Sequence, residues 1–186
     1  MKLNKLQKKI GISFKDDKLL IQALTHKSFD TKNNYEKLEF LGDRVLGFVI
    51  SKKLLELYPN EKVGMIDKKL ANLVNKNKCF EIGKELELDN YILTGNTEKK
   101  KKVNIEKKII SDCCESLIGA IYIDKGFEVS SKFILNYWKN YLNLSDITVI
   151  DSKTRLQEYS LKKFKALPIY KLISNTGPRH KPNFKI

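Results

Sequence analysis

Five acidic residues occupy positions where an ordinary helix would carry apolar or uncharged side chains. In YEKLEFLGDRVLGFVI, Glu36, Glu39 and Asp43 fall at i, i+3 and i+7, which puts three carboxylates on one helical face. Leu38, Phe40, Leu41 and Val45 flank them, so this is not a typical solvated surface, and three like charges in a row repel one another. SDCCESLIGAIYID repeats the arrangement with Asp112 and Glu115 at i, i+3, backed by Leu117, Ile118 and Ile121. Two apolar helices that both carry acids are expected to pack together and converge their carboxylates on a hard divalent cation. Oxygen-only ligands select Mg²⁺, or Mn²⁺ in its place, over Zn²⁺. Gly42 and Gly119 lie beside the acids and would let a backbone or a substrate phosphate come close. In a basic protein such a centre suits phosphodiester hydrolysis, in which a divalent ion offsets charge at the phosphoryl, attacking and leaving oxygens without a histidine or lysine base.

Each acidic group alone can equally be read as a solvated face or as ion-pair partners. Glu36 also suits a helix N-terminus, where the macrodipole favours negative charge, and is at most an accessory acid. The two groups together weigh against the surface reading. A di-iron carboxylate bundle expects Glu-x-x-His motifs, whereas the histidines here are His26 and His180 alone.

The apolar spacing of residues 1–145 is helical throughout. Short helices are predicted around Leu3–Ile10 and Leu19–Leu24, the second after an Asp16/Asp17 start signal. A long one follows from Tyr35 to Leu57 and stops at Tyr58-Pro59-Asn60. Further helices are predicted over 66–86, 108–123 and 127–142. After residue 151 the pattern becomes a helix, SKTRLQEYSLKKF, then a strand, PIYKLISN, a Gly177-Pro178 turn, and the start of another strand at NFKI. The expected architecture is therefore an all-α body over 1–145, a linker at 146–150, and an α-β-β segment over 151–186. Two strands and one helix make a poorly covered sheet, so the tail reads as part of a larger small domain.

The charge agrees with this division. Lys and Arg number 36 against 22 Asp and Glu, a net +14, so the expected partner is a polyanion. Residues 151–186 hold nine basic residues against Asp151 and Glu158, a net +7 that leaves +7 for the first 150 residues. Charge is thus about four times denser in the tail. Lys99–Lys102 form a basic run, read as a solvated loop ahead of a phosphate-contacting one. No apolar run reaches the roughly 20 residues of a membrane span, and the N-terminus lacks the apolar core of a signal peptide, so an intracellular protein without a membrane partner is expected. Cys79, Cys113 and Cys114 offer neither a disulfide framework nor metal-ligand spacing.

At these residues the chain resembles ribonuclease III. NYEKLEFLGDRVL is similar to that family's signature, DCCESLIGAIYID to its second acidic motif, and QALTHKS at 22–28 to a third segment. KTRLQEY at 153–159, followed by P-x-Y and GPRH, resembles the opening of the family's double-stranded RNA-binding domain. The resemblance implies an all-α nuclease domain, followed by an RNA-binding domain that is incomplete at its C-terminus. It further implies a cytoplasmic homodimer whose two sites each cut one strand of a duplex, leaving 5′-phosphate and 3′-hydroxyl ends, with roles in ribosomal and messenger RNA processing. No small-molecule cofactor is expected. By position, Glu39, Asp43, Asp112 and Glu115 match the family's Mg²⁺-binding carboxylates, with Asp43 and Glu115 catalytic. Glu36 matches an accessory acidic position, and His26 matches the family's Thr-His pair, where a helix-packing role comes ahead of a substrate contact. Thr154, Gln157 and Glu158 match a helix that enters the RNA minor groove, and Arg179 and His180 a loop that enters the next, reading A-form shape rather than sequence. Two positions depart from the pattern: Val63 stands where an acid is common, and Arg44 where a small hydroxyl residue is common. The alternative is a non-catalytic double-stranded RNA-binding protein on the same scaffold.

Overall fold

The structure is a computed structural model that describes residues 2–95, 106–144, 152–171, 173–176 and 183–185. The Lys99–Lys102 run, the expected linker at 146–150, and Arg179 and His180 lie outside the described residues. Two compact units divide the chain, Met1–Ile147 and Thr148–Ile186.

The first unit is helical: α1 (Lys2–Ile10), α2 (Asp17–Ala23), α3 (Glu36–Leu57), α4 (Val63–Leu73), α5 (Lys76–Glu85), a 3₁₀ turn (Leu88–Asn90), α6 (Lys107–Lys125) and α7 (Phe127–Leu144). Local chemistry sets the helix ends. Asp16 caps α2 by accepting from the Lys18 N–H at 2.9 Å. Tyr58 leaves helical geometry ahead of Pro59, whose ring disfavours the α conformation in the residue before it. Gly126 ends α6 at φ +82, where a side chain would be strained.

α6 is the centre of the unit. Every residue from Ile110 to Ile121 is buried, because α2, α3, α5 and α7 all pack against it. Leu46, Ile50 and Leu54 from α3, Ile82 from α5, Leu117 and Ile118 from α6, and Trp138 from α7 belong to one continuous core. The tightest crossing joins α3 to α6. A Cβ at Gly42 would lie 1.7 Å from the Glu115 carbonyl oxygen, and one at Gly119 would lie 2.2 Å from that of Leu38. The backbone therefore uses the space these glycines leave, and the two acid-bearing helices touch beside their acids.

The helix expected over 66–86 is instead two helices. Asn75 adopts an extended conformation, and its side-chain oxygen accepts from the Asn77 and Lys78 N–H groups at 3.0 and 3.1 Å, which starts α5. Its amide nitrogen donates to the Ala71 and Asn72 carbonyls at 3.2 and 2.9 Å, which closes α4. One short amide side chain thus satisfies groups that a continuous helix would have paired through the backbone.

In the second unit α8 (Ser152–Phe164) precedes β1 (Ser174–Thr176) and β2 (Asn183–Lys185), paired antiparallel with Asn175 opposite Phe184. The strand expected from Pro168 shortens to residues 174–176. A strand exists only where a partner pairs with it, and Pro168 has no N–H to give a ladder. Among the described residues no helix is long and apolar enough to cross a membrane.

Candidate active site

The crossing of α3 and α6 brings Glu39 from one helix against Asp112 and Glu115 from the other. Each offers a carboxylate oxygen, and the three oxygens lie within 4.8 Å of one another. The side chains of Asp112 and Glu115 are only 0% and 2% exposed. Buried carboxylates this close need a compensating cation. Lys76, in the first turn of α5, supplies one: its Nζ donates to Asp112 Oδ1 at 2.7 Å, to Glu115 Oε2 at 2.7 Å and to Glu39 Oε1 at 3.0 Å. On the far side of Asp112, Lys108 Nζ donates to Oδ2 at 2.7 Å, one helical turn away, and the Tyr35 hydroxyl reaches the same oxygen at 3.5 Å.

These contacts divide the ionisation of the cluster. Burial pushes the Asp112 carboxyl up, but the hydrogen bonds from Lys108 and Lys76 outweigh it and hold Asp112 below the ordinary carboxylate range. For Glu115 burial prevails over the Lys76 hydrogen bond, and its carboxyl is raised. Burial lowers Lys76, yet the hydrogen bonds to Asp112, Glu115 and Glu39 keep its ammonium above the usual lysine range. Burial also raises the Tyr35 hydroxyl, which stays a neutral donor.

Asp43 is not part of the three-oxygen cluster. Its carboxylate is paired with Arg44, whose guanidinium also lies 5.1 Å from the centre of the Phe40 ring. Asp43 nevertheless lines the same open cavity of about 410 Å³ as Glu36, Glu39, Phe40, Lys76 and Glu115. Glu36 sits at its edge, paired with Lys27 Nζ at 3.1 Å. His26 lies apart from the cluster: its Nδ1 is 2.7 Å from the Ser28 hydroxyl, which also accepts from the Gly95 N–H, and its ring tilts against Tyr35. Val63 is 81% exposed at the start of α4 and offers no ligand atom.

The donor set fits a divalent ion. Every ligand atom is a carboxylate oxygen, the choice of a hard cation, and the space among them already accommodates the positive charge of an ammonium.

A family model described as Ribonuclease-III-like matches residues 16–142. Ribonuclease 3 of Pelagibacter ubique is 64% identical over 188 residues, an alignment that spans 100% of this chain and 84% of the relative. The chain belongs to the ribonuclease III family. Ribonuclease 3 of Agrobacterium fabrum is 39% identical across 99% of this chain and 78% of its own length. Among solved structures, the nuclease domain of ribonuclease III from Campylobacter jejuni, studied for flexibility in a region involved in dimer formation, superposes with a TM-score of 0.70. It is 37% identical and covers 75% of this chain and 97% of that one. Dicer from Pichia stipitis shares the fold, at a TM-score of 0.56 and 18% identity over 92% of this chain and 81% of its own. As a ribonuclease III, the chain is an endoribonuclease whose acidic cluster can hold a metal ion.

Among the described residues, sequence reasoning missed Lys76, Lys108 and Tyr35, each of which touches the cluster. Lys108 was within reach, since it precedes Asp112 by one helical turn. Lys76 was hidden by the single helix expected over 66–86. Reading Asn75 as an N-cap would have started a helix at Lys76 and placed that lysine in its first turn.

Proposed function

We propose that this chain hydrolyses double-stranded RNA with Mg²⁺ held by Glu39, Asp43, Asp112 and Glu115, and that it acts as a homodimer whose two sites each cut one strand. The observation that carries the reading is the convergence of three carboxylates from two helices, two of them buried, with Glu39 and Glu115 also lining a cavity open to solvent. When bound, the ion would supply the positive charge that phosphodiester hydrolysis needs at the phosphoryl, attacking and leaving oxygens.

The protein's own groups do the rest. Lys108 and Tyr35 fix Asp112 from behind and leave its other oxygen facing Glu39 and Glu115. Asp43 is one turn from Glu39 on α3 and lines the cavity, so release of its carboxylate from Arg44 would bring it to the same ion and free the guanidinium for a phosphate. The products are 5′-phosphate and 3′-hydroxyl ends. Dimerisation is supported by the exposed Phe40 and Phe48 on α3, 66% and 62% accessible, and by the dimer-forming region of the Campylobacter nuclease domain.

The second unit serves as the opening part of a double-stranded RNA-binding domain. Thr154, Gln157 and Glu158 on α8 contact the minor groove there, with Arg179 and His180 contacting the next. Gln157 is half-buried and Glu158 exposed, while the side chain of Thr154 lies outside the described residues. The setting is the cytoplasm, and ribosomal and messenger RNA precursors are the substrates.

The test is incubation of the dimeric protein with a long RNA duplex, with and without Mg²⁺. Cleavage that requires Mg²⁺ and disappears in Glu115→Gln and Asp43→Asn, with duplex binding retained, is the expected result. Binding without cleavage by the unmodified dimer would overturn the proposal, and near wild-type cutting by either variant would overturn the assignment of that residue.

A further inference from the structure

The ammonium of Lys76 occupies the place among the carboxylates that a divalent ion would need. Its three N–H donors are matched one to one by Glu39, Asp112 and Glu115, so the group is fully used there. Two of these acceptors are buried side chains, whereas half of the Lys76 side chain (52%) is exposed. The acids are thus fixed in the helices, and the lysine enters from the solvent side on a flexible stem. Lys108 differs in this respect: it holds the outer oxygen of Asp112 alone and can stay in place whatever the inner oxygens bind. Arg44 differs too, since it pairs with Asp43 outside the cluster.

We propose that Lys76 is a positioning residue that serves as the built-in counter-ion of the metal site, holding Glu39, Asp112 and Glu115 together when no divalent ion is bound and leaving as the ion enters. The inference rests on the reading that these carboxylates hold a divalent ion. A magnesium ion sits roughly 2.0–2.1 Å from its oxygen ligands and requires a near-octahedral shell. It cannot share three oxygens within 4.8 Å of one another with an ammonium that already lies 2.7–3.0 Å from each. Metal uptake is therefore an exchange of one cation for another. The cluster keeps its geometry in the empty protein, and the apparent metal affinity is reduced by the fraction of time the lysine is seated. A lysine seated nine-tenths of the time weakens binding about tenfold.

The experiment uses the full chain without RNA. Mn²⁺ is titrated calorimetrically into wild type, Lys76→Met, Lys76→Gln and Glu115→Gln, and each protein is also melted in chelator and again with Mn²⁺. The expected result is about tenfold tighter Mn²⁺ binding by both Lys76 variants, a lower melting temperature in chelator, and a larger rise on adding Mn²⁺ than wild type shows. A lysine with only a structural role would lower stability without tightening metal binding. A Lys76 variant that folds only with Mn²⁺ present is the extreme form of the expected result, and Lys76→Gln, which retains a donor, then supplies the affinity. Wild-type affinity in both Lys76 variants, together with lost binding in Glu115→Gln, would overturn the inference and leave the metal site standing. No Mn²⁺ binding by wild type would overturn both.

Discussion

Replacing Gly42 by alanine tests the crossing on which the active site depends. The added carbon would lie 1.7 Å from the backbone oxygen of Glu115, where ordinary contact begins at 3.4 Å. Neither atom is on a flexible side chain, so α3 and α6 must part, by a distance on the order of 1.5 Å. Overpacking of this kind costs about 1–3 kcal/mol or more, and a backbone-to-backbone clash belongs at the upper end. Alanine recovers about 1 kcal/mol over glycine through helix propensity, which leaves a net loss of about 2 kcal/mol. For a domain of this size that lowers the melting temperature by about 4–8 °C. Gly47 is the internal control: it lies on the same helix with nothing within 4 Å of its added carbon, so Gly47→Ala should gain up to about 1 kcal/mol. Activity should separate the two more sharply. Glu39 and Asp43 ride on α3, Asp112 and Glu115 on α6, and a misplacement near 1 Å costs roughly a hundredfold in rate. Thermal melting in chelator and single-turnover cleavage of an RNA duplex measure the two effects. A Gly42→Ala protein that melts at or above wild type would refute the close crossing.

Two further outcomes follow from other contacts. Trp138 Nε1 donates to the buried Leu73 carbonyl at 2.8 Å, tying α7 to the end of α4, so Trp138→Phe should cost about 1–3 kcal/mol in chemical denaturation, and an unchanged midpoint would contradict that account. Removing residues 151–186 should weaken duplex binding and its salt dependence, because nine of the basic residues go with them, while the single-turnover rate at saturating RNA changes far less. An equal loss in both would show that the second unit takes part in the chemical step.

The acid pairs were legible because helical geometry is local. Glu36, Glu39 and Asp43 must share a face if residues 36–57 are helical, and so must Asp112 and Glu115 on α6. The helical body was readable for the same reason, since apolar period is a property of short windows. The break at Asn75 was local too, but its capping signal competed with an apolar spacing that runs through it, and the spacing suggested a single helix. The tertiary structure decided whatever joins residues distant along the chain. It assigned the space beside Gly42 and Gly119 to the opposing backbone rather than to a phosphate, buried Asp112 and Glu115 by surrounding α6 with four helices, and left Asp43 paired with Arg44 at the cavity wall. It also delivered Lys76 to carboxylates 36, 37 and 39 residues away. No periodicity encodes that meeting: it depends on the path of the chain between α4 and α5, and on the cost of leaving buried negative charges without a positive partner.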